Sequence, residues 1–435
     1  LSETYEQIIE QIPKTMLYED TIDRIALLTQ ILSELGSPQS ASQNIHICGT
    51  NGKGSTGTII NHMLRTHHQK VGHFSSPAMY DDLDQITIDG VAITEEEFVL
   101  AYTQLKKALS SLALTQADIS IFETYFIICV IHFSINDVDW AIYECGLGGG
   151  LDATNALGQS DYTIFTKIAM DHMGILGDTL EAIATTKAEI IDDTSTVINY
   201  PSQNPIVSKI IKQAALKHNS KIYNDSPFQV SLVSANLTEN IVDLRLSNVN
   251  HTERLSVQLA GKFQIDNLQN ALNWAYIYNQ DHSSDSITDY ELINALHAVP
   301  LPGRMELLQR NPTIIIDGAH NVDSIKALTD TLGRTQHYHM IIGFLKDKDY
   351  TDCMPFLKRL DADFILTEPY NSERFLSKET LEQTFKQAGI TAVTTSKDLS
   401  TALHQLKDAT SPIIITGSFY LINHVRTAIE EGALQ

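Results

Sequence analysis

The sequence predicts an α/β protein of two units: a larger one on a parallel sheet with a small antiparallel side sheet, and a smaller one on a second open α/β sheet. Three observations carry that expectation. The chain has 435 residues, too many for one ordinary core. Short apolar runs alternate with helix-length segments along most of its length, but residues 227–260 alternate apolar and polar residues across polar turns. VPLPGR (299–304) places two prolines and a glycine between the long blocks, which sets the expected units at 1–299 and 300–435.

Tyr5, Ile8, Ile9 and Ile12, then Ile22, Ile25, Leu28, Ile31, Leu32 and Leu35, recur at helical spacing with a break at Pro13. Gly36, Ser37 and Pro38 close that region. NIHIC (44–48) reads as a buried strand, the glycine-rich segment after it as its turn, and STGTIINHMLRTHH (55–68) as a helix with Ile59, Ile60, Met63 and Leu64 on one side. IFETYFIICVIHFSI (121–135) is nearly all apolar and long for a strand, so it reads as a buried helix leading to the strand DWAIYEC (139–145). DYTIFTKI (161–168) and TVINY (196–200) continue the alternation, which implies a parallel sheet covered on both faces.

FQVSLVSANL (228–237), NIVDLRLSNV (240–249) and ERLSVQLAG (253–261) suit an antiparallel sheet with one solvated face. QIDNLQNALNWAYIYN (264–279) is the next helix, and a looser one runs to Val299. PTIIIDG (312–318), YHMIIGF (338–344), DFILTEP (363–369) and PIIITGS (412–418) then restart the pattern as a doubly wound unit.

Fifty-three acidic against 30 basic residues give a formal charge of −23, which excludes a general polyanion binder and argues against nucleic acid as a partner. No apolar run is long enough for a bilayer, and the opening LSETYEQIIEQIPK lacks the basic-then-apolar order of a secretory signal. A cytoplasmic monomer with no membrane partner is expected. Cys48, Cys129, Cys145 and Cys353 are scattered without CxxC spacing, which points to buried reduced thiols.

The densest chemical signal is HICGTNGKGSTG (46–57). Gly49-Thr50-Asn51-Gly52-Lys53-Gly54-Ser55 has a shorter spacer than the GxxxxGK[ST] phosphate loop and an extra glycine after the lysine. Its physics is the same. Glycines let backbone N–H groups approach phosphate oxygens, the following helix presents its positive end, and Lys53 neutralises charge. Glu144, at the carboxyl end of a buried strand, stands where open sheets place ligand chemistry and offers a hard oxygen donor.

GTNGKGS resembles the nucleotide loop of the Mur-type ATP-dependent amide ligases, and among them that of folylpolyglutamate synthases and their dihydrofolate synthase relatives. Further motifs follow in the family's order. The resemblance implies an N-terminal P-loop ATPase domain, a C-terminal Rossmann-like domain and an active site between them. Thr50, Asn51, Gly52, Lys53, Gly54 and Ser55 would hold ATP. FSSP (74–77) places a magnesium ligand on Ser76, YECGLGGGLDATN (143–155) a second on Glu144 and a substrate contact on Asp152, and the DHxxxLGxT element (171–179) a third on His172. Lys187 falls on the lysine that family members carry as a carbamate.

By the same resemblance Glu123 lies in the segment that touches the pterin, although a contact with the helix N-terminus explains it equally. Gln264 and Asn267 match the base contacts, with Asn267 the stronger of the two. Arg304 in LPGRME matches the arginine that reaches ATP phosphate from the other domain. DGAHN (317–321), KDKD (346–349) and TGSFY (416–420) complete the set: Asp317 would meet an ammonium or the nucleotide, and His320 and Ser418 the carboxylate of an incoming amino acid. Lys53, Lys187, Asp317 and His320 are the expected catalytic residues. The chain departs from the family at Asp82-Leu83-Asp84-Gln85-Ile86, where Asn-Glu-Arg-Ile is usual, and at Glu189 and Asp192, where Gly and Lys are usual.

The implied reaction transfers phosphate from MgATP to a carboxylate and then displaces it by an amine to give an amide, with a reduced folate or dihydropteroate-type acceptor and L-glutamate as the amine. Two other readings stay open on the sequence: a Mur-type ligase for a different carboxylate and amine, and a non-catalytic nucleotide-binding paralogue.

Overall fold

Strands buried on both faces need apolar residues at consecutive positions, and the two main sheets are built from such runs. The computed structural model describes residues 3–13, 23–193, 195–246, 252–297, 299–370 and 374–434. The first sheet contains β1 (Gln43–Cys48), β2 (Val71–Phe74), β3 (Ile86–Ile88), β4 (Val91–Ala92), β5 (Trp140–Glu144), β6 (Tyr162–Phe165), β7 (Thr196–Ile198) and β8 (Lys221–Tyr223) in the order β4-β3-β2-β5-β1-β6-β7-β8. The six strands from β2 to β8 in that order are parallel, and β3 and β4 extend the edge antiparallel. The β3–β4 hairpin turns on Asp89-Gly90, both at positive φ (52° and 78°), a two-residue connection whose sequence signal the periodicity reading overlooks.

β9 (Gln229–Ala235), β10 (Asn240–Arg245) and β11 (Glu253–Val257) form the expected antiparallel side sheet. Ile22, at the expected start of a helix, and residues 247–249, at the expected end of β10, lie outside the described residues. The second large sheet holds β12 (Glu306–Arg310), β13 (Thr313–Ile316), β14 (Tyr338–Ile342), β15 (Ala362–Leu366), β16 (Val393–Thr395) and β17 (Ile413–Thr416) in the order β12-β13-β17-β14-β15-β16, all parallel except β12. The four long apolar runs became its centre. The edge strands β12 and β16 are short, half-buried or exposed, and carry polar residues, so they do not show as apolar runs.

Helix Lys53–Thr66 begins two residues earlier than expected, because Gly52 at φ 96° turns the chain directly into it. Its Ile59, Ile60, Met63 and Leu64 are fully buried and pack with Ile45 and Ile47 of β1, Trp274 of helix Gln264–Asp281 and the inner face of the side sheet. The other sheet face is covered by Arg24–Glu34, Glu95–Ser111 and the apolar helix Ile121–Ile135, with Phe126 and Phe133 against Tyr143. All four cysteines are free and buried.

Gly72 in β2 marks the tightest of these contacts. A Cβ there would stand 2.7 Å from the Phe133 ring, which is itself buried and held by Tyr143. Gly72→Ala should therefore cost about 1–3 kcal/mol by overpacking, measurable as a lowered urea midpoint. An unchanged midpoint would show that the ring yields freely.

Candidate active site

β5 and β6 flank β1, and the carboxyl ends of these parallel strands open on one crevice. The glycine-rich loop leaves β1 there because only glycine fits. A Cβ on Gly49 would be 2.0 Å from Thr166 Oγ1, and one on Gly52 would be 2.4 Å from Asn267 Oδ1. The Thr50 and Asn51 amides both donate to the Lys167 carbonyl, at 2.8 and 3.1 Å, and the Thr50 hydroxyl donates to that of Ala169. Those residues pin the loop to the end of β6. The amides left for an anion are in the first helical turn, at Lys53, Gly54 and Ser55, where no helical carbonyl stands behind them.

Two lysines converge under this turn. Lys53 Nζ and Lys187 Nζ each donate to the Gly49 carbonyl oxygen at 3.2 Å. Burial, then the neighbouring Lys187, depresses the Lys53 pKa. Lys187 arrives from helix Leu180–Ala188, which can approach because Gly149 is bare: a Cβ there would be 2.7 Å from Lys187 Cα.

Glu144 ends β5 and is 1% exposed. His73 of the neighbouring β2 donates from Nε2 to its Oε1 at 2.8 Å, and among the described residues the second oxygen has no hydrogen-bond partner. Ser76 follows on the loop after β2. His172, at φ 51°, has its pKa pulled to about 4 by burial, so its imidazole is neutral and keeps a lone pair at neutral pH. A buried carboxylate, a hydroxyl and a neutral imidazole form a donor set that fits a hard divalent cation.

The other wall comes from the second sheet. The Arg304 guanidinium lies 4.5 Å from the centre of the Phe419 ring. Asp317, just past β13, accepts from the Met305 and Ala319 amides, both at 2.9 Å, and so holds the PGR turn in place; burial raises its pKa against the opposing pull of Arg304. His320 Nδ1 donates to the Gly318 carbonyl at 2.8 Å, which leaves Nε2 as the acceptor, and burial lowers its pKa to about 4. Ser418 accepts from the Tyr420 amide at 3.1 Å and caps a one-turn helix.

All the residues to which the sequence assigned a catalytic, nucleotide, substrate or metal role, except Gln264, line one cavity of about 820 Å³, whose walls come from both sheets. Several of them already have structural partners. Asp152 accepts from the Leu147 amide at 2.6 Å and from the amide and hydroxyl of Thr154 at 3.0 and 2.6 Å, so its carboxylate organises the glycine loop after β5. Glu123 closes a capping box with Ser120 and is gripped through both oxygens by Arg24, at 2.9 and 2.6 Å. Asn267 is held between Tyr200 and Gln264. The departures divide: Gln85 lines the cavity, whereas Asp192 is used by Ser160, at 2.8 and 2.9 Å, and Glu189 lies against Gly150.

The sequence reading missed Arg24, His73, Lys167 and Asp323. No local signal marks them, since each acts through a partner 71 or more residues away along the chain. They matter to the junction of the two walls. Lys167 meets Asp323 at 2.5 Å, Asn51 Nδ2 donates to Asp323 at 2.9 Å, and Asp171 is held by Lys348 at 3.0 Å and by Asn321 Nδ2 at 3.1 Å.

The Mur ligase middle domain matches residues 128–275, and the Mur ligase glutamate ligase domain matches residues 303–419. A folylpolyglutamate synthase of Lacticaseibacillus casei is 31% identical over 421 residues, 95% of either chain. This chain belongs to the folylpolyglutamate synthase family. It is an ATP-dependent ligase of the Mur type. A dihydrofolate synthase/folylpolyglutamate synthase of Bacillus subtilis (strain 168) is 28% identical over 421 residues, 93% of this chain and 94% of that one. The fold is that of Mycobacterium tuberculosis folylpolyglutamate synthase complexed with ADP and AMPPCP, at a TM-score of 0.83 and 24% identity over 97% of this chain and 96% of that one. Family membership accounts for the crevice at β1 and for the order of the loops around it.

Beneath the family's nucleotide loop, His46 of β1 is 3% exposed, with Nε2 2.8 Å from Thr154 Oγ1, and burial pulls its pKa from 6.5 to about 4. Above pH 6.5 it is neutral folded or unfolded; below that the unfolded chain binds the proton first, so stability falls as pH drops towards 4. The contribution is about 3 kcal/mol. His46→Leu should flatten urea stability between pH 6.5 and 4 by about that amount; an unchanged acid limb would refute the burial account.

Proposed function

We propose that this ligase adds L-glutamate to the carboxylate of a reduced folate or its glutamyl tail, with dihydropteroate as a second acceptor, through an acyl phosphate. One observation carries the reading: Lys53, Glu144, His172 and Lys187 from the first sheet's crevice share a cavity with Arg304, Asp317 and His320 from the second. Solved relatives are complexed with ADP and AMPPCP or with DHPP and ADP, which supports a nucleotide and a second small molecule in such a cavity.

In this reading the first-turn amides and Lys53 hold the β- and γ-phosphates, Arg304 reaches the transferred group from the other side, and Asn267 contacts the base. Mg²⁺ would be held by Ser76, Glu144 and His172 and would supply charge neutralisation on the phosphates. The substrate carboxylate attacks the γ-phosphorus and releases ADP. The amine of glutamate, held by its own carboxylate near His320 and Ser418, attacks the acyl carbon, and phosphate leaves as the amide forms. Asp317 acts by fixing the turn that carries Arg304. Lys187 as a carbamate would turn one of two cations on the Gly49 carbonyl into an anion. Glu123, with Arg24, and Asp152 shape the acceptor's end of the cavity.

The same reading sets the domain boundary between 299 and 300 and takes the protein as a cytoplasmic monomer without nucleic-acid or membrane partners. Among the described residues no helix is long and apolar enough to cross a membrane.

Purified protein with MgATP and glutamate should add a glutamyl unit to tetrahydrofolate and release phosphate, with neither product when any substrate is omitted. Dihydropteroate in the same assay decides whether the second acceptor is used. Lys53→Ala should lower kcat/KM on the order of 10²–10³-fold. Glutamyl transfer to neither pterin, with the nucleotide still bound, would sink the folate reading; phosphate release with another carboxylate and amine would favour the different-substrate ligase.

A further inference from the structure

At the amino ends of two inner strands of the second sheet, away from the cavity, period-two spacing on two adjacent parallel strands produces a square of ligating side chains. His337 precedes β14 and His339 lies in it; Asp361 precedes β15 and Asp363 lies in it. His339 and Asp363 are register partners, so all four side chains leave the same face. The catalytic loops leave the carboxyl ends of these strands, whereas this cluster stands at their amino ends, and none of its members lines the cavity.

The distances are those of a coordination sphere. His337 Nε2 is 3.2 Å from Asp363 Oδ2, His339 Nδ1 is 3.8 Å from the same oxygen, and one ligand atom from each of the three residues lies within 4.8 Å of the others. Tetrahedral zinc with bonds of about 2.0–2.1 Å separates its ligands by about 3.3 Å, so small side-chain rotations complete the site. His337 Nδ1 donates to Asp361 Oδ1 at 3.0 Å. His337 also donates from Nε2 to Asp363 in this structure, so a bound ion would take the place of that proton while Asp361 keeps Nδ1–H and orients the ring, the arrangement metal-bound histidines use. The His337 and His339 side chains are 36% and 22% exposed, so water can reach the remaining position.

We propose that His337, His339 and Asp363 bind a borderline divalent ion of the zinc class, with Asp361 orienting His337. Two imidazole nitrogens select against magnesium, so the site is distinct from the one that would serve the nucleotide. Bound there, the ion ties β14 to β15 at the amino end of the sheet and stabilises the folded chain in proportion to its free concentration.

The whole protein, stripped with chelator and supplied with MgATP to occupy the nucleotide site, is titrated with Co²⁺ and read by visible absorption. One equivalent should give tetrahedral d–d bands that Zn²⁺ abolishes. The bands should be lost in His337→Ala and in His339→Gln, persist in His172→Ala, and require about 10–100-fold more metal in Asp361→Asn. Phosphate release with MgATP, tetrahydrofolate and glutamate should be unchanged in His337→Ala, which also reports that the variant is folded. The proposal is overturned if no saturable bands appear, which would leave an exposed ion pair of protonated His337. Bands that survive His337→Ala or vanish in His172→Ala overturn it equally.

Discussion

Two lysine side chains, Lys187 buried and Lys53 half-buried, share one carbonyl oxygen, and the rest of the cavity is arranged around that conflict. Lys53 Nζ and Lys187 Nζ, each 3.2 Å from Gly49 O, can be no more than about 6.4 Å apart. At an effective dielectric of about 20 such a pair repels by roughly 3 kcal/mol. The fold accepts this cost because β1 ends there and helix Lys53–Thr66 begins there, so the carbonyl and the helix turn are both fixed. A phosphate over the first turn, or a carbamate on Lys187, relieves the repulsion. The bare glycines follow from the same constraint: Gly49 admits Thr166, Gly52 admits Asn267, and Gly149 admits the helix that brings Lys187.

The junction between the two walls is polar where the first core is apolar, and that difference bears on motion. Asn51, Lys167 and Asp171 meet Asn321, Asp323 and Lys348 through hydrogen bonds and ion pairs of 2.5 to 3.1 Å. Away from this network Met79 packs with Ile422 across the bare Gly303, and the Asn423 amide donates to the Ala78 carbonyl at 3.1 Å. Polar contacts of this kind can be broken and remade in water at modest cost, unlike a buried apolar seam. Lys348 and Asp171 are among the least exposed of them, with side chains 7% and 10% exposed. Both stand beside His172 and His320, so opening the walls would separate groups that the proposed reaction needs together.

Much of this was legible in the sequence, for a physical reason. Central parallel strands are buried on both faces and read as apolar runs, and glycine-rich loops at strand ends read as motifs, so β1, β5, β6, β13, β14, β15, β17 and the loops after them could be placed from residues alone. Edge strands have one wet side and few residues, which hid β4, β8, β12 and β16, whereas β2 is an inner, fully buried strand hidden only by being four residues long. The side chains that act through distant partners were also hidden. Arg24 and Glu123 are 99 residues apart and His73 and Glu144 are 71 apart, and nothing local distinguishes such an arginine or histidine from a solvated one. Asp152 and Asp317 show the converse. Both stand in motifs that suggest ligand contact, yet each has its oxygens taken by backbone amides, a satisfaction that only the folded geometry reveals.

Pairing singles out the reactive centre more sharply than charge does. The chain carries a formal charge of −23, and its cavity is lined by acids as well as bases, so no global field gathers anions there. Most of the lining charges cancel locally: Arg24 with Glu123, Lys167 with Asp323, Lys348 with Asp171, and Arg374 with Asp347. Among the described residues three lining cations have no carboxylate within 4.0 Å, namely Lys53, Lys187 and Arg304. Glu144 is the reciprocal case, a carboxylate whose ion-pair contact is with His73 rather than a lysine or arginine. Unpaired cations beside a buried, unneutralised carboxylate are unstable in isolation, and a polyphosphate bridged to a divalent cation satisfies both sets at once. That complementarity lets an acidic protein hold a highly anionic substrate.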